Sequence, residues 1–329
     1  MKSAPVVSVI IPHFCGQEIL LRCLKSLYAD DSIPIEVILV DNASTDDSVE
    51  AAVEAFPQIK VLHSKKNLGY AGGCNLGMTN ARAAYFVLLN NDAIVSPGLL
   101  EKLLHVADAN PEIAAVQPKI KSISNKYYFD YAGAAGGFID IFGFPFARGR
   151  IFFTIEKDLG QYDTPGEIFW ASGTCTLLRR SALEQAGYLD DNFFAHMEEI
   201  DLDWRLHLMG YRVWYEPNAV VLHNAGTTLR PETPRKIFLN HRNSLVMMLK
   251  NYSMITLFWV FPIRLAFECI AVFYVLLKRD VPQAKAILKG CFAALVALPG
   301  SFKMRKTVQK KRLLTDAQLM KRMFKKSIV

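Results

Sequence analysis

Residues 87 to 93 read VLLNNDA, a short apolar run that ends in the polar side chains Asn90, Asn91 and Asp92. Such a run is typical of a buried parallel strand. In open α/β sheets, ligands bind beyond the carboxyl ends of such strands. The stretch therefore predicts a strand that opens into a cleft. The same three polar residues could instead start a turn before Ser96-Pro97-Gly98.

Strand and helix patterns alternate before this stretch. β-Branched runs at Val6–Ile11, Glu36–Val40 and Lys60–His63 predict three further strands. Apolar residues at helical spacing in Glu18–Tyr28 and Asp47–Phe56 predict the helices between them. The alternation predicts right-handed βαβ units, and hence an α/β fold with a mostly parallel central sheet flanked by helices.

The remaining elements are less regular. Asn67–Asn75 (NLGYAGGCN) predicts a glycine-rich turn that feeds a helix over Leu76–Ala84. Residues 119 to 166 show no clean period. Our hypothesis is that they are a variable insertion on the side of a second, acceptor substrate. Helices are predicted after Pro97 to about Ala109 and within Asn192–Gly210. Short strands are predicted at Ala114–Val116, Val213–Tyr215 and Ala219–Leu222, and ordered segments at Phe169–Arg179 and Ser181–Ala186.

Composition limits the class of protein. With 329 residues, 51% of them hydrophobic, the chain can bury the core of one large or two smaller domains. The six cysteines are scattered without a CxxC pair, which indicates a reducing compartment and argues against a disulfide framework or a zinc site. The first apolar run stops at Pro12, as in a strand and unlike a secretory signal. We therefore expect the catalytic part to be cytoplasmic.

The net charge of +7 conceals two different surfaces. From Arg230 onward there are 20 Lys and Arg against four acids, while the preceding residues hold 18 against 27, so the two parts carry about +16 and −9. We therefore predict a catalytic domain over residues 1–229, with a nucleotide half at 1–95 and an acceptor half at 96–229. Residues 230–329 form a basic, apolar helical region in this prediction.

Several side chains suit a nucleotide. Asp41 could accept a hydrogen bond from a base or a ribose hydroxyl, or could instead cap the next helix. Gly69, Gly72 and Gly73 would let the backbone approach a ligand, although a plain tight turn explains them too. Asn67 and Asn75 could add amide contacts. The chain has neither GxGxxG after the first strand nor a P-loop, so a dinucleotide fold is disfavoured.

Other side chains suit a metal ion and proton transfer. Asp92 can hold Mg²⁺ or Mn²⁺, and His223 is a nitrogen ligand that suits Mn²⁺ better, although a lone histidine is usually structural. The stretch Asp190–Arg205 is rich in acids. One carboxylate there could be a general base while another is held by Arg205. A solvated acidic helix start is the alternative.

Taken in order, these pieces resemble the family 2 glycosyltransferases of the GT-A fold, in particular their bacterial rhamnosyltransferase-like branch. About two thirds of the chain carries the resemblance. The matching stretches are VSVIIPHF from Val7, VDNASTD from Val40, NLGYAGGCN from Asn67, LLNNDA from Leu88, WASGTCTLLRRSAL from Trp170, and FFAHMEEIDLDWRLHLMGYRVWYEPNAVVLH from Phe193.

The resemblance implies roles for individual residues. Glu199 falls on the inverting base. The residues implied or expected at the nucleotide are Pro12, Phe14, Asp41, Asn67, Gly72, Asn75 and Asn91. Those implied at the divalent cation are Asn90, Asp92 and His223. Those expected on the acceptor side are Trp170, Gly173, Glu198 and Arg205.

The sequence departs from the family pattern at three of these positions. Asn90 replaces the first aspartate of the metal motif, which implies weaker metal affinity. Glu199 replaces the usual aspartate, which keeps the chemistry and lengthens the reach. His13 stands where an aromatic residue is common.

The implied activity is a single in-line displacement that inverts the sugar configuration. The expected donor is dTDP-rhamnose or a UDP-sugar, and the expected acceptor is a glycan or a lipid-linked glycan of the cell surface. A catalytically weak homologue that binds glycans or acts as a scaffold is the main alternative. A nucleotidyltransferase, which would release pyrophosphate, is a further one.

The basic tail predicts contact with an anionic membrane. Tyr252–Leu277 is apolar, but Pro262, Arg264 and Glu268 interrupt it, and the last two are spaced to pair on one helix face. We therefore expect helices lying on the cytoplasmic face of the bacterial inner membrane. The basic residues expected to face lipid are Lys303, Arg305, Lys306, Lys310, Lys311 and Arg312.

Three further expectations concern the packing of this tail and the partners of the protein. A soluble helical subdomain packed on the catalytic part is the alternative to membrane contact. No nucleic-acid-binding module is recognised in the sequence, so we expect no nucleic acid partner. A homo-oligomer is left open.

Overall fold

The structure is a computed structural model, and it describes residues 4–30, 32–151, 154–223 and 233–322. The strands within those residues are β1 (Val7–His13), β2 (Ile35–Asp41), β3 (Lys60–His63), β4 (Tyr85–Leu89), β5 (Ile94–Val95), β6 (Ile113–Ser122), β7 (Gly137–Ile139), β8 (Pro145–Ala147), β9 (Arg150–Ile151), β10 (Thr154–Ile155), β11 (Gly166–Ile168), β12 (Cys175–Arg179) and β13 (Arg212–His223).

The helices alternate with these strands and then follow them. They are α1 (Gln17–Tyr28), α2 (Ser48–Ala55), α3 (Gly69–Thr79), α4 (Leu99–Ala109), α5 (Arg180–Ala186), α6 (Glu198–Leu208), α7 (Pro234–Asn251), α8 (Met254–Leu277), α9 (Val281–Val296), α10 (Leu298–Lys310) and α11 (Asp316–Arg322), with a 3-10 turn at Asp191–Phe193.

One mixed sheet organises the described residues. Its strand order is β11-β13-β6-β12-β4-β1-β2-β3, and β5 pairs with β13. The neighbours β3, β2, β1 and β4 are parallel, and so are β6 and β13, while β12 runs antiparallel between β4 and β6. The prediction of a mostly parallel sheet flanked by helices is confirmed. Because parallel strands end at one edge, β1, β2, β4 and β13 bring polar residues together there.

Side chains alternate between two cores, one on each face of the sheet. In β1, Val9 and Ile11 pack beneath α1 and α4, whereas Ile10 packs on the other face, beneath α3. All three are fully buried. The continuous apolar run in the sequence therefore reflects burial on both faces, as a parallel strand requires.

Helix α3 corrects the predicted glycine-rich turn. The helix already begins at Gly69, whose φ of +74° lies in the left-handed region that favours glycine. Its later glycines let it lie close against β1. A Cβ added at Gly77 would lie 2.3 Å from Ile10 Cγ2, and one at Gly73 would lie 2.8 Å from Asn42 Nδ2. Close packing on the sheet explains the glycine pattern.

The stretch without a clean period contains short ribbons. Strands β7 and β8 pair with each other, as do β9 and β10, so neither ribbon is part of the main sheet. Strand β6 extends well beyond the predicted Ala114–Val116. The two short strands predicted near residue 220 are one strand, β13, with a register shift between Glu216 and Val220. This irregularity hides its period in the sequence.

The C-terminal helices pack on the sheet-containing part of the protein on one side and expose apolar residues on the other. The predicted pair is present in α8, where the Arg264 guanidinium donates to Glu268 at 2.6 Å. Among the described residues, α8 alone is long and apolar enough to cross a membrane by itself, with 17% of its most apolar window buried. Helices α9 and α10 pass the same test only as one segment bent by 62°. The predicted domain boundary at residue 229 lies outside the described residues.

Two of the six basic residues expected to face lipid do not. Arg305 is buried, and its guanidinium donates to the carbonyl oxygens of Leu249 and Tyr252. Arg312 pairs with Asp316, four residues later. Packing of α10 against α7 explains Arg305, because unpaired carbonyl groups at the end of α7 need donors. Arg312 follows α10 and donates to Gln309, Leu314 and Asp316, which draws it away from solvent. The prediction is wrong for these two residues.

A buried ion cluster joins α7 to α6. The fully buried Lys250 ammonium lies 2.6 Å from Asp190 Oδ2 and 2.9 Å from Asp201 Oδ2. Asp201 also accepts from Arg205 at 3.0 Å and from Asn251 at 2.9 Å. Although burial acts to raise it, the pKa of Asp190 is lowered by Lys250. Each charge in the cluster is therefore compensated.

We predict that Lys250→Gln lowers the free energy of unfolding by about 3–5 kcal/mol, since it leaves buried carboxylates without their cation. Urea unfolding at neutral pH, followed by circular dichroism, measures this. The control is Lys285→Gln, because Lys285 is an exposed lysine of α9. Equal stability of the two variants would contradict a structural role for Lys250.

Candidate active site

A cavity of about 940 Å³ opens at the carboxyl edge of the sheet. Strand ends and the first turn of α6 form one side, and α7 with the short ribbons forms the other. Eleven of the fifteen residues predicted for the site line it, namely Pro12, Phe14, Asn67, Asn90, Asn91, Asp92, Trp170, Gly173, Glu198, Glu199 and His223.

Two predicted nucleotide residues lie outside this lining because they hold the scaffold. The Asn75 side chain donates to the Leu189 carbonyl at 2.7 Å and accepts from the Leu189 amide at 3.1 Å. Gly72 packs inside α3, where an added Cβ would lie 2.8 Å from Leu68 Cβ. These contacts leave neither residue facing the cavity, so they correct the expectation of nucleotide contact.

Asp41 and Arg205 also lie outside the lining. Asp41 accepts from the Ser44 amide at 2.8 Å and lies 2.9 Å from His63 Nδ1. Burial acts to raise the pKa of Asp41, but these hydrogen bonds lower it overall. The Arg205 guanidinium is buried and donates to Asp201 and to backbone carbonyls. Arg205 is therefore a scaffold residue, and the acceptor role expected for it is wrong.

The Asn90-Asn91-Asp92 segment combines both interpretations of the sequence. It forms a turn in which the Ala93 amide donates to the Asn90 carbonyl at 3.1 Å. The three side chains nevertheless line the cavity. The turn at the end of β4 is what directs them there.

Asp92 and His223 meet at the ends of β4 and β13. His223 Nε2 lies 3.1 Å from Asp92 Oδ1 and 3.3 Å from Asn90 Nδ2, and His223 Nδ1 lies 2.9 Å from Asp130. Burial acts to lower the pKa of His223, but Asp130 and Asp92 raise it to about 9. Asp130 is a partner that sequence analysis missed, because it lies in the stretch without a period.

The residues at this point fit a divalent cation by donor type. Carboxylate and amide oxygens suit Mg²⁺ and Mn²⁺, and an imidazole nitrogen suits Mn²⁺. Within the described ranges, no three His, Cys, Asp or Glu side chains are arranged to hold a metal ion. A cation held by Asp92, Asn90 and His223 would therefore need further ligands, which phosphate oxygens of a substrate can supply.

Glu198 and Glu199 lie at the first turn of α6 and face the cavity. Burial raises the pKa of Glu199 to about 7. Burial and the neighbouring Glu199 hold the pKa of Glu198 well above its usual range. In each carboxyl group, Oε2 has no hydrogen-bond partner among the described residues. Two adjacent carboxyl groups with separated pKa values are typical of acid and base roles in catalysis.

The comparison with protein families decides the class. The model of "Glycosyl transferase family 2" matches residues 8–187, more than half of the chain. This chain belongs to glycosyl transferase family 2. A similar protein is the N-acetylglucosaminyl-diphospho-decaprenol L-rhamnosyltransferase of Mycobacterium tuberculosis, which is 29% identical over 278 residues, 79% of this chain and 87% of that protein. The predicted family is confirmed, and the chain is a glycosyltransferase.

Solved structures agree on the fold. The mannosyltransferase PcManGT of Pyrobaculum calidifontis, solved with GDP-Man and Mn²⁺, matches with a TM-score of 0.53 and 16% identity, over 94% of this chain and 86% of that one. GalNAc-T7, solved with UDP, GalNAc and Mn²⁺, matches with a TM-score of 0.60 and 15% identity, over 76% of this chain and 48% of that one. The predicted GT-A fold is confirmed.

A hydrogen-bond chain holds His13 and Asn91 at the cavity of this glycosyltransferase, and sequence analysis missed it. His13 at the end of β1 lies 2.8 Å from Asn91 Nδ2 and 2.7 Å from Ser48 Oγ, and Ser48 donates to Asp46. Asp46 accepts in turn from the Gly16 amide at 2.8 Å. Burial lowers the pKa of His13, so its neutral form is favoured. A polar residue at the end of a buried strand was the available signal.

Another part of the cavity wall is built around Trp170. Its indole N–H donates to the Phe138 carbonyl at 2.9 Å, which fixes the ring in the cavity wall. Tyr70 donates to the Gly173 carbonyl, and an added Cβ at Gly173 would lie 2.9 Å from the Tyr70 hydroxyl oxygen. Helix α7 adds Lys236, His241 and Ser244 to the lining, among other residues. None of these α7 residues was predicted, since a helical period alone does not tell which surface it faces.

We predict that Glu198→Gln stabilises the glycosyltransferase at neutral pH. In the folded protein Glu198 keeps its proton well above the usual pKa of 4.5, whereas in the unfolded chain it ionises there. The unfolded state therefore binds fewer protons, and wild-type stability falls as pH rises above 4.5. Removing the Glu198 carboxyl group should recover about 1.4 kcal/mol of unfolding free energy for each pH unit above 4.5, up to the raised pKa of the folded state.

Urea unfolding of wild type and Glu198→Gln between pH 4 and 8 tests this. The plots of unfolding free energy against pH for the two proteins should converge at the acid end. A matched control is Glu184→Gln, a surface residue that pairs with Arg180. A constant difference across the pH range would contradict the raised pKa of Glu198.

Proposed function

We propose that this glycosyltransferase moves a sugar from a nucleotide-sugar donor to an acceptor hydroxyl, with inversion, and that Glu199 is the general base. The carrying observation is the Glu198–Glu199 pair in the cavity wall. A carboxylate with a pKa of about 7 is ionised for a sufficient fraction of molecules at neutral pH and is basic enough to take a proton. Glu198 stays protonated beside it, so it does not compete for that proton.

The proposed reaction uses these groups in one step. Glu199 takes the proton of the acceptor hydroxyl as that oxygen attacks the anomeric carbon. The bond from this carbon to the phosphate oxygen breaks, and the nucleoside diphosphate leaves with the electron pair. One displacement without a covalent sugar–enzyme intermediate inverts the configuration. The role of Trp170 is to provide a fixed apolar surface for the acceptor.

Asp92, Asn90 and His223 would hold a divalent cation, Mg²⁺ or Mn²⁺, at the donor diphosphate. Such a cation neutralises negative charge that develops on the leaving phosphate. Support comes from the donor types at the ends of β4 and β13, and from Mn²⁺ in solved structures of similar fold. Pro12, Phe14, Asn67 and Asn91 also line the cavity and suit the nucleoside.

The substrates are inferred from the relatives. The mycobacterial relative is named for the transfer of L-rhamnose to a diphospho-decaprenol-linked acceptor. We infer a similar chemistry here, with dTDP-rhamnose or a UDP-sugar as donor and a lipid-linked or other glycan as acceptor, in cell-surface polysaccharide synthesis. A lipid-linked acceptor also explains why apolar helices lie beside the cavity.

We infer that α8 and α9 rest on the cytoplasmic face of the bacterial inner membrane. Large apolar side chains project from them, including Ile255 (84% exposed), Phe258 (86%) and Phe292 (67%). A surface of this kind on a monomer marks an interaction site. Basic residues beside it, including Lys303 and Lys306, are exposed and suit anionic lipid.

We predict that Glu199→Gln loses roughly 10²–10⁴-fold in transfer rate, since it removes a general base but keeps the size of the side chain. Nucleotide affinity should stay unchanged. In wild type, kcat/KM should rise with pH and level off above about 7, the pKa of Glu199. Turnover of UDP- and dTDP-sugars and calorimetric binding of UDP and dTDP, each with Mn²⁺ and with chelator, measure these effects.

Near-normal turnover in Glu199→Gln would exclude it as the base. Wild-type nucleotide binding without any transfer would favour the alternative, a weak homologue that binds glycans as a scaffold. The comparison of Mn²⁺ with chelator tests in the same experiment whether binding and transfer need a divalent cation.

We predict that the double variant Ile255→Ser, Phe258→Ser binds vesicles at least about tenfold more weakly, since each apolar side chain contributes about 1.5–3 kcal/mol when it leaves water. Co-sedimentation with phosphatidylglycerol vesicles measures this binding. Leu159→Ser is the matched control, because Leu159 is 76% exposed and lies far along the chain from these helices. An equal loss in that control would contradict a specific membrane surface.

A further inference from the structure

We propose that Arg150 and Lys236, which both lie over the ring of Tyr131, form a diphosphate-binding site in the cavity wall. This site deepens the proposed function and rests on it, since two diphosphates take part in that reaction. One belongs to the donor, and the other belongs to a lipid-diphosphate acceptor.

The three residues come from separate parts of the chain and meet at one aromatic ring. Arg150 begins β9, Lys236 lies in the first turn of α7, and Tyr131 follows Asp130, the partner of His223. Arg150 Cζ lies 4.0 Å from the centre of the Tyr131 ring, and Lys236 Nζ lies 5.7 Å from it. All three line the cavity.

The charge around these two cations is a second observation that points to an anion. Among the residues that the structure describes, neither Arg150 nor Lys236 has a carboxylate within ion-pair distance. Arg264, which lines the same cavity, is paired with Glu268. Burial lowers the pKa of Lys236, and the nearby Arg150 lowers it further. Within the described part of the chain these two half-buried cations therefore lack a neutralising carboxylate, a cost that an anion would remove.

The geometry of the groups suits phosphate oxygens. A guanidinium can donate two parallel hydrogen bonds to one phosphate, and an ammonium acts as a compact point charge. Lys236 also lies at the N-terminal end of α7, where the helix dipole favours negative charge. Tyr131 holds both cations over its ring and keeps them at a fixed separation.

The neighbours of the site relate it to both proposed substrates. Asp130, adjacent to Tyr131, connects it to His223 and so to the donor phosphates. Lys236 lines the cavity from α7 together with His241 and Ser244. Binding measurements with ligands that carry one diphosphate or the other can assign the site to one of the two substrates.

The test measures binding to the full chain by calorimetry for inorganic pyrophosphate, UDP, dTDP and farnesyl diphosphate, each with Mn²⁺ and with chelator. The variants are Arg150→Gln, Lys236→Gln and their combination. We expect each single variant to bind pyrophosphate roughly tenfold more weakly, since each loses a charge-assisted hydrogen bond. Arg180→Gln is the control, because Arg180 pairs with Glu184 at the surface and does not line the cavity.

Each outcome has a defined meaning. Weaker binding of UDP or dTDP with unchanged farnesyl diphosphate assigns the site to the donor, and the reverse assigns it to the acceptor. Unchanged binding of all four ligands, absence of pyrophosphate binding in wild type, or an equal loss in Arg180→Gln would overturn the proposal. These measurements need no turnover, so retained diphosphate binding without sugar transfer would count against the proposed function alone.

Discussion

The buried ammonium of Lys250 connects α7 to α6, and the site depends on both helices. It lies between Asp190, just before the 3-10 turn, and Asp201 of α6. The same helix presents Glu198 and Glu199 to the cavity at its first turn. Because a buried charge without its partner is costly, α7 cannot leave α6 without a large loss of stability. The helices that expose apolar residues are thereby held in a fixed relation to the carboxyl pair.

The parallel sheet supplies the second constraint. Strands that run in one direction bring His13, Asn90 and His223 to one edge, and hydrogen bonds then fix their side chains. Sequence-separated elements are joined in this way, since His13 contacts both Asn91 and Ser48. Hydrogen bonds between protein groups therefore position this edge of the cavity. Its geometry follows from the strand order.

The sequence was informative where one physical rule dominates. Burial on both faces makes the strands β1, β2 and β4 visible as apolar runs, and polar residues after them mark the site edge. Regions with mixed constraints were harder to predict. The glycines of α3 looked like a turn because close packing and flexible turns select the same residue. Arg205 looked functional because its partners, the carbonyls of residues 186–188, leave no trace in the side-chain pattern. Contacts between distant segments, such as Tyr131 with Arg150 and Lys236, carry no local signal.

The exposed apolar side chains of α8 and α9 also determine how the protein behaves as a colloid. In dilute buffer without lipid or detergent, these surfaces lower their free energy by meeting each other, so molecules would associate through them. The net charge of +7 opposes this association only weakly once salt screens it. The apparent size of the purified protein should therefore depend on the amphiphile present. An oligomer observed without one would report on solvent exposure of this face, and not on how many chains the active site needs.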